Sequence, residues 1–212
     1  MRIAIFGAAG KAGRALVQEA LTRGHRVTAV VRDPDKAKFE DAVRVVQGDA
    51  TDAASVAKAV KDQDVVVNAT GPTNNAPELM PMVADSARAM IEGLKKAGVS
   101  RLLIVGGAGS LEVAPGLQLV DAPTFPAEYK AIALAHRDAL KVYRTGDIDW
   151  TYFSPGAYFY SGERTGKFRI GKDQLLTDAK GESRLSYEDM AVAIIDEAEN
   201  PQHKRERIAV AY

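Results

Sequence analysis

Met1 to Asp33 reads MRIAIFGAAGKAGRALVQEALTRGHRVTAVVRD, and this stretch decides the fold. An apolar run, Ile3 to Phe6, leads into Gly7-x-x-Gly10-x-x-Gly13. A helical segment follows to about Thr22, and Gly24-His25 turns the chain into a second apolar run, Val27 to Val31. That is one β-α-β unit with its glycines at the first turn. Glycine suits such a turn because the backbone needs unusual dihedrals, an anion must approach bare backbone, and the new helix must lie close to the sheet. The first turn of a helix has unpaired N–H groups and a partial positive charge, which favour an anion there. A glycine-spaced turn alone is a weak signal, but the strand before it and the helix and strand after it supply the expected context. The expectation is a dinucleotide whose diphosphate lies over Gly7, Ala9, Gly10, Lys11, Ala12 and Gly13.

The tip of the second strand decides which nucleotide. An acidic residue there holds a ribose 2′-hydroxyl, whereas an arginine accommodates a 2′-phosphate. Here Val31 is followed by Arg32, Asp33 and Pro34. The planar fork of Arg32 suits a phosphate, with Lys36 or Lys11 as helpers, while Asp33 remains a rival ribose ligand. The reading is NADPH over NADH.

Outward from this unit, short apolar runs alternate with amphipathic stretches. The runs are Val43 to Val46, Val65 to Asn68, Leu102 to Val105, Trp150 to Phe153 and Ile208 to Tyr212. Nearly continuous apolar strands suit a parallel sheet covered on both faces. Leu79, Met82, Val83, Met90, Ile91 and Leu94 form one helical stripe, stopped by Gly98. A helix from about Ala127 to Arg144 is expected to bury Ile132, Ala135, Ala139, Val142 and Tyr143. The last helix starts at a Ser186 cap, buries Met190, Ile194 and Ile195, and ends at Pro201. The fold class is therefore α/β, a doubly wound parallel sheet with helices on both faces and a small C-terminal substrate-side extension. Residues 1–212 read as a single Rossmann-type domain, with the substrate cleft contributed mainly by 106–130 and 154–185.

In such folds ligands lie outside the carboxyl ends of the strands. After the third strand comes Gly48-Asp49-Ala50-Thr51-Asp52, where Asp49 can accept from an adenine amine with Ala50 beside it. Asp49 or Asp52 can equally cap the next helix. After the fourth, Ala69, Thr70 and Gly71 let backbone lie along a ribose and diphosphate, although turn chemistry also explains them. After the fifth stands Gly106-Gly107-Ala108-Gly109-Ser110, with Gly107 near the cofactor and Ser110 beside the nicotinamide, or else capping a local turn. After the sixth, backbone amides in Pro155, Gly156 and Ala157 are candidates to hold the carboxamide. Tyr158, Phe159 and Tyr160 follow, as core or as a stacking surface for a planar acceptor. Gly162 to Gly171 with Gln174 to Leu176 reads as a lid or short hairpin. Arg164, Lys167 and Arg169 are placed on a solvated loop or against an acidic acceptor. His203 to Arg207 reads as a solvated turn.

Composition narrows the classes. Lys+Arg and Asp+Glu both total 28, so nothing recruits nucleic acid or an anionic membrane. There is no cysteine, and His25, His136 and His203 are far apart, so no metal is expected. The chain opens on a core strand and has no apolar run near about 18 residues, which reads as a cytoplasmic protein without signal peptide or membrane span. Partners are expected to be a small planar acceptor and, at most, a second copy of the chain: monomer or homodimer.

Several segments resemble the atypical short-chain dehydrogenase/reductases, specifically the NAD(P)H-flavin reductase group that is similar to biliverdin reductase B and related to NmrA-like proteins. They are Gly7-Ala8-Ala9-Gly10-Lys11-Ala12-Gly13-Arg14, Val31-Arg32-Asp33, Gly48-Asp49, Val105 to Ser110, Ser154-Pro155-Gly156 and Gly162 to Arg169. The resemblance implies NADPH-dependent reduction of flavins or similar rings, with flavin as substrate rather than as a bound prosthetic group.

One catalytic feature is missing. Carbonyl-reducing short-chain dehydrogenases use Tyr with Lys four residues on, because the alkoxide left by hydride transfer needs a proton from an acid of lowered pKa. None of the seven tyrosines has that lysine; Ala133 follows Tyr129 at that spacing and Asp147 follows Tyr143. A conjugated acceptor such as a flavin, quinone or tetrapyrrole spreads the incoming charge over its own rings, so positioning supplies most of the rate. Ser110 would orient it, and His136 would assist as a donor if its helix face meets the cleft, or else be structural. The alternative is an NmrA-like redox sensor that binds the dinucleotide without turnover. A sugar-nucleotide epimerase is disfavoured by the short C-terminal half.

Overall fold

The computed structural model describes residues 1–72, 74 and 76–212. The apolar runs become strands and the amphipathic stretches helices, in the order β1 (Arg2–Phe6), α1 (Lys11–Thr22), β2 (Arg26–Val31), β3 (Arg44–Gln47), α2 (Ala53–Ala59), β4 (Val65–Asn68), α3 (Pro81–Ala97) and β5 (Arg101–Val105). There follow β6 (Glu112–Ala114), β7 (Leu117–Gln118), α4 (Ala127–Thr145), β8 (Asp149–Pro155), β9 (Tyr158–Tyr160), β10 (Arg169–Gly171), β11 (Arg184–Ser186), α5 (Tyr187–Glu199) and β12 (Glu206–Ala211).

The main sheet has eight strands in the order β10-β12-β8-β5-β4-β1-β2-β3. Every neighbouring pair is parallel except β10 with β12. Alternation along each strand divides the core into two layers. Ile3, Ile5, Val67, Leu103, Phe153 and Ile208 pack with Leu16 of α1 and Met190 and Ile194 of α5. Ala4, Phe6, Val66, Leu102, Ile104 and Tyr152 pack with Val56, Met90, Leu94 and Leu140 of α2, α3 and α4. Each fully buried Leu, Ile or Met of this kind contributes about 1.5–3 kcal/mol.

The register puts one transverse row on the second face: Phe6 opposite Asn68, Asn68 opposite Ile104, Ile104 opposite Tyr152, and Tyr152 opposite Arg207. The row thus sets a polar Asn68 between Phe6 and Ile104 and ends in Tyr152 and Arg207 toward β12.

Four departures from the sequence reading have local causes. The β2–β3 connection carries only a 3-10 turn, Pro34–Lys36, in place of a helix. In α4 the fully buried positions are Ala133, Ala139, Leu140 and Tyr143, while Ile132, Ala135 and Val142 are only partly buried against the core. The stretch 162–171 is no free lid: β10 joins the main sheet as its outer, antiparallel strand. The turn before β12 is also more than solvated charge, since Arg207 is buried and the His203 Nδ1 lies 2.8 Å from buried Glu197.

Candidate functional site

The carboxyl ends of β1, β2, β4, β5 and β8 share one edge, and the loops after them carry most of the expected cofactor residues. At β1, Gly7 has φ +72°, and a Cβ there would stand 2.4 Å from the Ala69 carbonyl oxygen. A Cβ on Gly13 would stand 2.1 Å from the Gly7 carbonyl oxygen. Protein backbone thus explains these two glycines. Gly10 differs, because a Cβ there meets only the Gly7 oxygen at 3.2 Å and its outer side is exposed. It caps α1 without a side-chain hydrogen bond, leaving the first-turn amides of Lys11, Ala12 and Gly13 facing the exposed surface of Ala9 and Gly10. The cradle fits a diphosphate laid against backbone.

The loop after β4 is fixed from below by a buried network that the sequence did not announce. Asn68 Nδ2 donates to Ser86 Oγ at 3.1 Å and to the Tyr143 hydroxyl at 3.0 Å. Its Oδ1 accepts from Thr70 N at 3.1 Å and Thr70 Oγ1 at 2.7 Å. Ala69 and Thr70 are thereby held under the glycine turn, with Gly71 exposed. The signal available in sequence was an Asn closing an otherwise all-valine strand.

At the tip of β2, Arg32 is exposed and in no ion pair among the described residues, whereas Lys36 Nζ holds Asp33 at 2.8 Å. Lys36 is thus a partner for the rival carboxylate. Gln47 Nε2 donates to the Arg32 carbonyl at 3.1 Å and fixes the backbone there. Asp49 Oδ1 accepts from Thr51 N at 2.8 Å and Thr51 Oγ1 at 2.7 Å, and these bonds, with Arg32 nearby, hold its carboxyl below the usual range. Asp52 is the helix cap, accepting from Ala54 N at 2.8 Å. Ala50 is buried. Arg14 donates to the Lys38 carbonyl at 3.2 Å and lies 5.5 Å from the Phe39 ring centroid, tying the β2–β3 loop to α1.

At the β5 and β8 ends several expected donors are already engaged. Gly107 N donates to the Tyr152 hydroxyl at 3.2 Å, which in turn donates to the His136 carbonyl at 3.1 Å. Ala157 N donates to Ser183 Oγ at 3.0 Å. Pro155 has no N–H, so Gly156 carries the remaining amide of that triplet; a Cβ there would strike the Arg184 backbone at 2.7 Å. His136 does reach the loop, its Cβ 3.1 Å from where a Gly107 Cβ would be. Burial lowers its pKa to about 4, so the ring is neutral near pH 7. Burial also raises the pKa of the Tyr143 and Tyr152 hydroxyls. Ser110 is buried, and its Oγ accepts from Arg207 Nη1 at 3.2 Å, leaving its own proton to donate.

Alternation in β9 sorts the aromatic cluster. Phe159 turns to the core and meets the Tyr187 ring edge-on at 4.4 Å. Tyr158, 63% exposed, stacks on Tyr160 with centroids 5.1 Å apart. The strap that follows is fastened elsewhere. Arg164 grips buried Glu19 with two bonds of 2.6 and 2.8 Å, and Asp189 accepts from Thr165 N and Gly166 N. Arg169 donates to the carbonyls of Thr177 and Tyr212. Arg164 and Arg169 are therefore bound within the protein, whereas Lys167 stays exposed.

A family model described as NAD(P)H-binding matches residues 7–201. Among solved structures, a protein from Burkholderia pseudomallei described as a putative exported protein is 46% identical, with TM-score 0.90 and full coverage of both chains. One from Bacteroides thetaiotaomicron described as a putative epimerase is 41% identical, with TM-score 0.90, covering 100% of this chain and 96% of that one. One from Streptococcus pneumoniae described as a putative NADH-flavin reductase is 35% identical, with TM-score 0.87, covering 100% and 99%.

Proposed function

Since this chain belongs to the NAD(P)H-binding family, with the Rossmann-like fold that goes with it, we propose that it is an oxidoreductase passing hydride from NADPH to a conjugated planar acceptor, of which a flavin is the type. One observation carries the reading of the acceptor. Against the end of β5, where a carbonyl reductase needs an acid of lowered pKa, stand a tyrosine whose hydroxyl burial keeps protonated and a neutral histidine. An alkoxide formed there would find no ready proton, whereas a reduced flavin or quinone holds the charge in its own rings.

The dinucleotide, when bound, supplies the hydride. The chain supplies placement: the α1 amides and Gly10 for the diphosphate, Arg32 for a 2′-phosphate, and the Thr70 loop for the ribose. Gly107 and Gly156 would border the nicotinamide, and the Tyr158–Tyr160 stack offers a flat surface for the acceptor. Preference for NADPH is supported by Arg32, exposed and in no ion pair among the described residues, beside an Asp33 that Lys36 contacts. The description of the Streptococcus pneumoniae relative supports a flavin.

The test is oxidation of NADPH followed at its absorbance with FMN, riboflavin or a quinone as acceptor. Steady turnover is expected with at least one of them. Tight binding of reduced and oxidised nucleotide with no turnover on any acceptor would replace the enzyme reading by a redox sensor.

A further inference from the structure

A polar cavity lies away from the glycine turn, between α4, the β6–β7 hairpin and β12, with a volume of about 190 Å3. We propose that it is an oxyanion subsite that takes a phosphate group. Four cations line it. Arg137, Lys141 and Arg144 follow one another at helical spacing along α4, and Arg207 ends the transverse row on the same face of the sheet.

Two of these groups are held as a recognition site holds them. Arg207 is buried, its side chain 4% exposed, and is aimed by Asp173 Oδ1 at 3.0 Å from Nε and by Ser110 Oγ. Arg137 bonds Asp121 at 2.9 Å and Gln118 at 3.3 Å through Nη1, yet its Nε is cut off from solvent and has no acceptor among the described residues. A buried N–H without an acceptor is costly, so Arg137 gains by turning this nitrogen to an acceptor that enters the cavity. Ser110 accepts from Arg207, so its hydroxyl proton is free for the same acceptor.

The neighbouring carboxylates offset three of the four charges and leave one in excess. Asp121 pairs with Arg137, Asp138 with Lys141 at 2.8 Å, and Asp173 with Arg207 and, at 3.9 Å, with Arg144. Each of the three is about half exposed, at 47, 57 and 54% of the side chain, so water screens it, whereas the Arg207 charge is enclosed. Size selects the ligand further. The cavity is smaller than the roughly 300–1,000 Å3 that holds a whole drug-sized molecule, so it fits one head group. Arginine forks favour a tetrahedral or planar oxyanion with several acceptor oxygens. The phosphate can come from an acceptor that carries one or from the free ion, and the inference stands whether or not the hydride acceptor is a flavin.

Amide NMR with inorganic phosphate as the probe tests this. Saturable shifts are expected at Ser110, Gln118 and Lys141, separate from any at Gly10 to Gly13, which report phosphate on the opening loop. Lys141 and Arg144 are more than half exposed, so K141Q/R144Q should fold normally and bind phosphate in the cavity about tenfold more weakly, the ratio for one lost charge-assisted hydrogen bond. R144K should keep most of the affinity. If FMN moves the same signals and competes with phosphate while riboflavin does not, the phosphate is the acceptor's. If phosphate binds and neither flavin disturbs it, the ligand is the free ion. Absence of saturable shifts at the cavity, or an affinity unchanged in K141Q/R144Q, overturns the proposal.

Discussion

The two halves of the cofactor edge are built from different materials. From β1 to β4 the edge is backbone: glycines without side chains, uncapped helix amides, and a loop propped by Asn68. From β5 to β12 it is side chains: Tyr152 bonded to His136, and Ser110 bonded to Arg207, with an arginine-lined hollow beside the second pair. Backbone can receive any diphosphate, and that is the common part of every dinucleotide. Side chains distinguish one acceptor from another, so the second half is where relatives of one fold are free to diverge.

The comparison can be broken most forcefully at Gly13. With its added carbon 2.1 Å from a carbonyl oxygen that cannot retreat, G13A is expected to destabilise the fold by about 2–3 kcal/mol in denaturant unfolding and to weaken nucleotide binding severely. A G13A protein with full stability and affinity would mean that backbone closeness is not what shapes the first half. Arg32 comes next as the one charged side chain of that half expected to select. R32D should shift the NADPH to NADH ratio of kcat/KM by about a hundredfold, which corresponds to one bidentate charged contact. An unchanged ratio removes Arg32 from cofactor choice.

In the second half, S110A should lower turnover about tenfold while nucleotide affinity stays the same, the outcome expected of a hydroxyl that orients the acceptor. Loss of both together would make Ser110 structural. The smallest effect lies at the clasp between the halves, where Arg164 holds Glu19 of α1. Arg164 is foremost in keeping the Glu19 carboxyl below its ordinary value. A lowered carboxylate adds stability that is present above its unfolded value and is lost as pH falls through the folded one. R164Q should therefore cost about 1 kcal/mol or less at neutral pH, because the arginine is half exposed, and should flatten the loss of stability on acidification below about pH 4.5. Melting curves across that range measure both.

The β-α-β opening, the parallel sheet and its covering by helices on both faces were legible, because apolar period and glycine spacing are local properties of the chain. Ser186 as a cap was legible for the same reason, and the sequence offered Asp52 as a cap alongside Asp49. What could not be read was pairing across the fold. Arg164 and Arg169 look like free cations in sequence, yet their partners lie 145 and 43 residues away, at Glu19 and Tyr212. Gly107 and Ala157 look like free amides, but Tyr152 and Ser183 already hold them. Arg207 looked like part of a solvated run, because register with Tyr152, which buries it, is set by the sheet and not by its neighbours in the chain.

The antiparallel β10 has an effect of its own. It is three residues long, and it covers the flank of β12, whose Ile208 and Val210 would otherwise border an open, strongly apolar ribbon. If the strap were cut or pulled away, the uncovered ribbon would invite strand addition from another molecule before the nucleotide half lost its shape. Self-association under mild stress should therefore begin on the flank opposite the glycine turn.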